Sequence, residues 1–75
     1  MDNYHVVPDA QKGWVLHKEG DSTVLKAAEL KDQILVVLPV YFSDKKASVK
    51  IHREDGTIEE ERTYPRSADP RESKG

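Results

Sequence analysis

The sequence predicts a small α+β domain with elements in the order β-β-α-β-β, folded as a mostly antiparallel sheet with one helix packed on a face. Three observations support this prediction. Short runs near both ends of the chain alternate between apolar and polar residues, as half-buried strands do. The middle of the chain instead repeats apolar residues at three- and four-residue steps, the period of a helix. An Asp55-Gly56 pair between two alternating runs marks a hairpin.

The first two strands are predicted at residues 4–8 and 14–18. Valine, tyrosine and tryptophan in these segments favour strands, and Pro8 ends the first because it has no N–H to donate. Residues 9–13 are polar and join the two segments closely. We therefore expect an antiparallel hairpin.

The helix is predicted from six apolar side chains at helical spacing: Ala27, Leu30, Ile34, Val37, Leu38 and Tyr41. Its start is left open, because the helix formers at 25–31 permit an early start capped by Asp21, Ser22 or Thr23 as well as one near Ala28. The β-branched residues at 34–40 argue for a strand instead. We favour the helix, with a bend or an early end around 36–39 caused by Pro39.

Two further strands are predicted at residues 47–54 and 57–64, joined at Asp55-Gly56. That pair predicts a type I′ turn, in which both central residues have positive φ. Residues 65–75 include two prolines and no large apolar side chain, so we expect a disordered C-terminal tail. The single α+β domain then spans residues 3–64.

Composition excludes several classes of protein. The chain has 75 residues, no cysteine and a net charge of -2, so it has neither a disulfide framework nor a thiolate metal site. Nor does it have a basic field that would attract nucleic acid or anionic lipid. No signal peptide is evident, and the apolar stretch 34–42 is far shorter than the about 20 residues that span a bilayer. We therefore expect a cytoplasmic location.

Eight short motifs follow one another along the chain. They are His5-Val6-Val7-Pro8, Gly13-Trp14-Val15, Glu19-Gly20, Ile51-His52, Asp55-Gly56, Ile58, Tyr64 and Asp69-Pro70. This pattern resembles a family of short bacterial proteins, domain of unknown function 2188, over about residues 4–70. The resemblance implies a small bacterial protein of β-β-α-β type, sometimes carried on phage or mobile elements. It implies no activity and no catalytic residue. The family's helix is typically amphipathic and rich in charge, whereas residues 34–42 are apolar.

The predicted helix has more apolar side chains than one sheet face can cover. At about 100° per residue, Val36 and Val40 lie on the far side from the face of Ile34 and Leu38. Contiguous exposed apolar surface usually marks a binding site for a partner. We therefore predict a homodimer or another protein partner bound through Leu35, Val36, Pro39, Val40 and Phe42. The alternative is that a bend at Pro39 turns the last residues into the core.

Nucleic-acid binding is the second functional interpretation. It would use the bases Lys45, Lys46, Lys50 and Arg53, with Trp14 stacked on a nucleobase. Carboxylates at 54, 55 and 59–61 in the same hairpin would repel phosphate. A solvated surface of mixed charge explains these residues more simply.

Metal binding and catalysis have less support. His5 and His52 face each other if the first and third strands are neighbours, and Asp2 or Glu54 would complete a Zn²⁺ or Ni²⁺ set. No local histidine spacing supports such a site, so we interpret the histidines as half-exposed on a solvated sheet face and predict no metal or cofactor. The chain has no cysteine nucleophile, glycine-rich loop or serine elbow. We therefore predict a non-enzymatic binding module without a small-molecule substrate.

Overall fold

The computed structural model describes residues 1–64, which form five strands and one helix. The elements are β1 (Asp2–Asp9), β2 (Gly13–Lys18), β3 (Lys26–Ala28), α1 (Lys31–Tyr41), β4 (Ala47–His52) and β5 (Ile58–Tyr64). The strands form one sheet in the order β3-β2-β1-β4-β5. β1 runs parallel to β4, and the other neighbouring strands are antiparallel. The predicted α+β class is confirmed, whereas the tail predicted at 65–75 lies outside the described residues.

The segment before the helix differs from the prediction. Residues 26–28 form the short edge strand β3, and α1 begins only at Lys31. β3 pairs with β2, where Trp14 lies opposite Ala28, and this pairing overrides the helix propensity of 25–31. Asp21 consequently caps no helix. Its carboxylate accepts the Thr23 N–H at 2.8 Å within the turn that precedes β3.

Pro39 lies inside α1, but the helix continues past it to Tyr41. Proline cannot donate to the carbonyl of residue 35, so one helical hydrogen bond is missing. Beyond the proline, the Phe42 N–H donates to the Leu38 carbonyl at 2.9 Å and the Ser43 N–H donates to the Val40 carbonyl at 3.2 Å. The helix therefore does not end early, and the strand interpretation of this segment is wrong.

The core lies between α1 and one face of the sheet. Phe42 is fully buried there, with its ring centroid 4.7 Å from that of Tyr4 and 5.7 Å from that of Tyr64. Predicting Phe42 as an interface residue was therefore wrong, because Phe42 is the C-cap of α1 and its ring packs against Tyr4 and Tyr64 of the sheet. The buried cluster consists of Tyr4, Val6, Trp14, Leu16, Ile34, Leu38, Phe42, Ala47, Val49, Ile51 and Tyr64.

The β4–β5 hairpin is confirmed, but its turn is not type I′. Gly56 has a φ of 95°, and no residue other than glycine has positive φ among residues 1–64. The Arg53 N–H donates to the Thr57 carbonyl at 2.7 Å, which closes a longer loop than the predicted two-residue turn. The Asp55 carboxylate accepts the N–H and the hydroxyl of Thr57 at 3.0 and 2.7 Å. These bonds hold Asp55 in the longer loop.

Three turns each depend on an aspartate that accepts backbone N–H groups. The pKa of Asp9 is lowered chiefly by the N–H of Gln11, and those of Asp21 and Asp55 by the N–H two residues further on. A lowered pKa in the folded state contributes stability that is present above the ordinary value of 3.8 and is lost as pH falls through the lowered value.

We therefore expect the urea midpoint of unfolding to fall as the pH is lowered from about 5 to about 2. Asp55→Asn preserves an acceptor oxygen in the turn but cannot be protonated in this range, so it should lessen the pH dependence. The measurement is a series of urea titrations followed by circular dichroism. Identical pH profiles for the wild type and this variant would contradict the role given to Asp55.

Candidate protein-binding site

The outer side of α1 presents valines to solvent. Val36 and Val40 are 73% and 77% exposed, whereas Ile34 and Leu38 on the opposite side are buried in the core. Pro39, which lies between the two valines in the sequence, is also exposed. Of the other residues predicted for an interface, Leu35 is half-buried and packs against the core. We call Val36, Pro39 and Val40 the helix surface.

A groove of about 370 Å³ runs along the helix surface between α1 and β3. It is lined by Lys26, Val36, Val37, Val40 and Tyr41. The Lys26 Nζ lies 5.6 Å from the centroid of the Tyr41 ring, and the Lys45 Nζ lies 4.8 Å from it. Sequence reasoning missed Lys26 and Tyr41 here, because it placed Lys26 in the helix and Tyr41 in the core.

The two ends of α1 have opposite charge. Glu29 and Asp32 are exposed at its N-terminal end, and Lys26 and Lys45 flank Tyr41 at its C-terminal end. Among residues 1–64, ion pairs link other side chains, and these four charges take part in none of them. The helix surface is therefore bordered by unpaired acidic charge at one end and unpaired basic charge at the other.

The structure does not bring the predicted nucleic-acid residues together. Lys45 and Lys46 precede β4 and Arg53 follows it, so the length of the strand separates them. Lys50 lies on the sheet face away from α1, where its Nζ contacts the Asn3 Oδ1 at 2.5 Å and the Glu61 Oε2 at 3.3 Å. These bases form no common surface.

Trp14 is also unsuitable for stacking on a nucleobase. Its side chain is 8% exposed and belongs to the core on the helix side of the sheet. The Lys31 Nζ lies 5.0 Å from the indole centroid, donates to the His52 carbonyl at 3.0 Å and forms an ion pair with Glu59. Lys31 therefore lies over the indole ring, and Trp14 and Lys31 both line a shallow cleft of about 550 Å³.

His5 and His52 are neighbours, as the sequence predicted for adjacent strands. The His5 Nδ1 and the His52 Nε2 lie 2.8 Å apart. The carboxylate at this pair is Glu19, and neither Asp2 nor Glu54 contacts it. Within the part of the chain that is described, no three histidine or carboxylate side chains are arranged to hold a metal ion.

The fold and its surface define a class of small proteins in which a single helix covers one face of an open α+β sheet. This chain belongs to DUF2188, a family described as an uncharacterized protein conserved in bacteria, whose model matches residues 4–64. The family resemblance seen in the sequence is thereby confirmed. No curated protein and no solved structure is significantly similar to this chain.

α1 is the one helix within residues 1–64, and its 11 residues are too few to cross a bilayer.

Proposed function

We propose that this protein is a non-enzymatic binding module that forms a homodimer through the helix surface. The observation that supports the proposal most directly is the exposure of Val36 and Val40, at 73% and 77%, one turn apart on a helix whose Ile34 and Leu38 are buried in the core. Fully burying one valine contributes about 1.5–3 kcal/mol relative to leaving it in water. Covering both valines on each copy therefore supplies a substantial driving force for association.

The charges at the ends of α1 favour a second copy as the occupant. In a two-fold dimer the same patch meets itself, so each contact occurs twice. If the helices pair antiparallel with the valines at the centre, Glu29 and Asp32 of one copy face Lys26 and Lys45 of the other. Antiparallel helices also place opposite ends of their dipoles together. The chain thus carries both halves of a complementary interface.

A glutamate in the helix surface should separate the copies. We expect the wild type to sediment as a dimer and Val36→Glu to sediment as a monomer at the same concentration, because the dimer would bury unpaired charge. The control is Ile58→Glu, since Ile58 is 52% exposed on β5, outside the helix surface. This variant should remain dimeric. Unfolding midpoints of both variants should confirm that each protein stays folded.

A charge swap tests the antiparallel arrangement separately. Asp32→Lys and Lys45→Asp should each weaken the dimer, because each places like charges together across the two-fold axis. The double variant should recover much of the lost affinity, and added salt should reduce all three differences. A wild type that stays monomeric at hundreds of micromolar would refute the homodimer. A dimer that Val36→Glu leaves intact would refute the helix surface as its interface.

A further inference from the structure

Two histidines and two acceptor groups form a continuous chain of hydrogen bonds on the sheet face away from α1. His5 on β1 contacts the Glu19 Oε1 through Nε2 at 2.8 Å. Its Nδ1 contacts the Nε2 of His52 on β4, also at 2.8 Å. The His52 Nδ1 then contacts the Gly56 carbonyl oxygen at 2.7 Å. We call these four groups the histidine chain.

The number of protons in the histidine chain follows from its two ends. An ionised carboxylate and a backbone carbonyl can only accept hydrogen bonds. The His5 Nε2 and the His52 Nδ1 must therefore each carry a proton. The central contact needs one more proton, on either of the two facing nitrogens. Three protons on two rings are one more than two neutral imidazoles hold.

We propose that His5 and His52 form a binding site for one additional proton and share a single positive charge in the folded protein. With both rings neutral, one of the three contacts would join two acceptors. With both rings charged, the central contact would press two N–H groups together. Only the singly charged pair satisfies all three contacts at once.

The surroundings of the pair are consistent with one positive charge. Glu19 contacts it directly, and the hydrogen bond with His5 is the largest cause that lowers the pKa of this carboxyl. From β2, His17 stacks on His5 with ring centroids 5.7 Å apart. Lys50 on β4 lies near Glu19 but is itself paired with Glu61 of β5. From α1, the Lys31 Nζ reaches the backbone carbonyl of His52 rather than its ring.

A proton held by the folded chain and released on unfolding links stability to pH. Free imidazoles are mostly neutral above about pH 7, so the unfolded chain binds fewer protons there than the folded chain. Stability must then decrease as the pH rises. This site lies on the opposite side of the sheet from the helix surface, so the proposal is independent of the homodimer.

The direct test is nitrogen-detected NMR of the imidazole rings in wild-type protein at pH 7 with EDTA present. We expect His5 and His52 together to show three ring N–H groups. The second test measures how stability depends on pH, as the unfolding equilibrium constant between about pH 7 and 9. It should increase by up to tenfold per pH unit, the slope for one proton.

Two variants test whether the pH dependence of the unfolding equilibrium constant, called the slope below, comes from His5 and His52. His52→Gln preserves a donor toward His5 but does not titrate, so the slope should largely disappear. His17→Gln removes the neighbouring imidazole outside the histidine chain and should preserve the slope. Two ring N–H groups in the wild type, or a slope that survives in His52→Gln, would overturn the proposal. If His52→Gln fails to fold, the ring N–H count of the wild type decides alone.

Discussion

Phe42→Ala is expected to reduce the free energy of unfolding by about 3–5 kcal/mol, the usual cost of removing a buried phenylalanine. Phe42 is fully buried at the C-cap of α1 and packs against the rings of Tyr4 and Tyr64. Natural domains retain only roughly 0.05–0.15 kcal/mol of stability per residue. In a chain of 75 residues this loss should leave a large unfolded population at 37 °C.

The matched control is Val36→Ala on the exposed side of the same helix. It should change stability by less than about 0.5 kcal/mol in the monomer, because little is buried there. Thermal unfolding of dilute protein measures both variants. A Phe42→Ala protein with nearly wild-type stability that fails only to associate would mean that Phe42 belongs to an interface instead of the core.

Gly13→Ala is the second substitution expected to have a large effect. Gly13 has a φ of 93°, a conformation that residues with a side chain rarely adopt. A Cβ there would lie 2.7 Å from the carbonyl oxygens of Ala28 and Glu29 and 2.8 Å from the Glu29 Cα. These are backbone atoms of the last residue of β3 and of the residue after it, so relief of the clash requires β2 and β3 to separate. We expect a loss of at least about 3 kcal/mol.

Gly20→Ala separates the clash from the backbone strain. Gly20 has a similar φ of 82°, but a Cβ there has no atom within 4 Å. Gly20→Ala should therefore reduce the free energy of unfolding by only about 1–2 kcal/mol, the cost of placing a residue with a side chain in the left-handed conformation. Urea unfolding of the two variants under identical conditions measures the difference. Equal losses would show that the approach of Gly13 to residues 28 and 29 is unimportant.

Local sequence patterns predicted those parts of the fold that depend on neighbours in the chain. The alternation around Val49 and Ile51 identified β4, and the spacing of Ile34 and Leu38 identified α1. β3 was missed because its residues, 26–28, are good helix formers, and only pairing with β2 makes them a strand. The turn at Asp55 was also misjudged, since its carboxylate bonds to Thr57 and favours a longer loop.

The candidate site was predictable to a similar extent. Helical geometry alone placed Val36 and Val40 away from the core, because that argument needs only the register of one helix. It failed for Phe42, which follows the helix as its C-cap and is directed by tertiary packing. Glu19 could not be chosen over Asp2 or Glu54 as the partner of the histidines, because that choice depends on where the segment after β2 passes.

The parallel pairing of β1 with β4 has a consequence for the order of folding during synthesis. β1 lies at the centre of the sheet, yet its partner residues are 45 positions further along the chain, from Asp2 opposite Ala47 to Val6 opposite Ile51. Until residues 47–52 have left the ribosome, one side of β1 has no strand to pair with. The N-terminal half therefore emerges with an open edge, and non-local pairing of this kind is slow to form. A nascent chain stalled before β4 should be readily digested by protease. Once the β4–β5 hairpin has left the ribosome, all strands of the sheet should become resistant to protease at the same chain length.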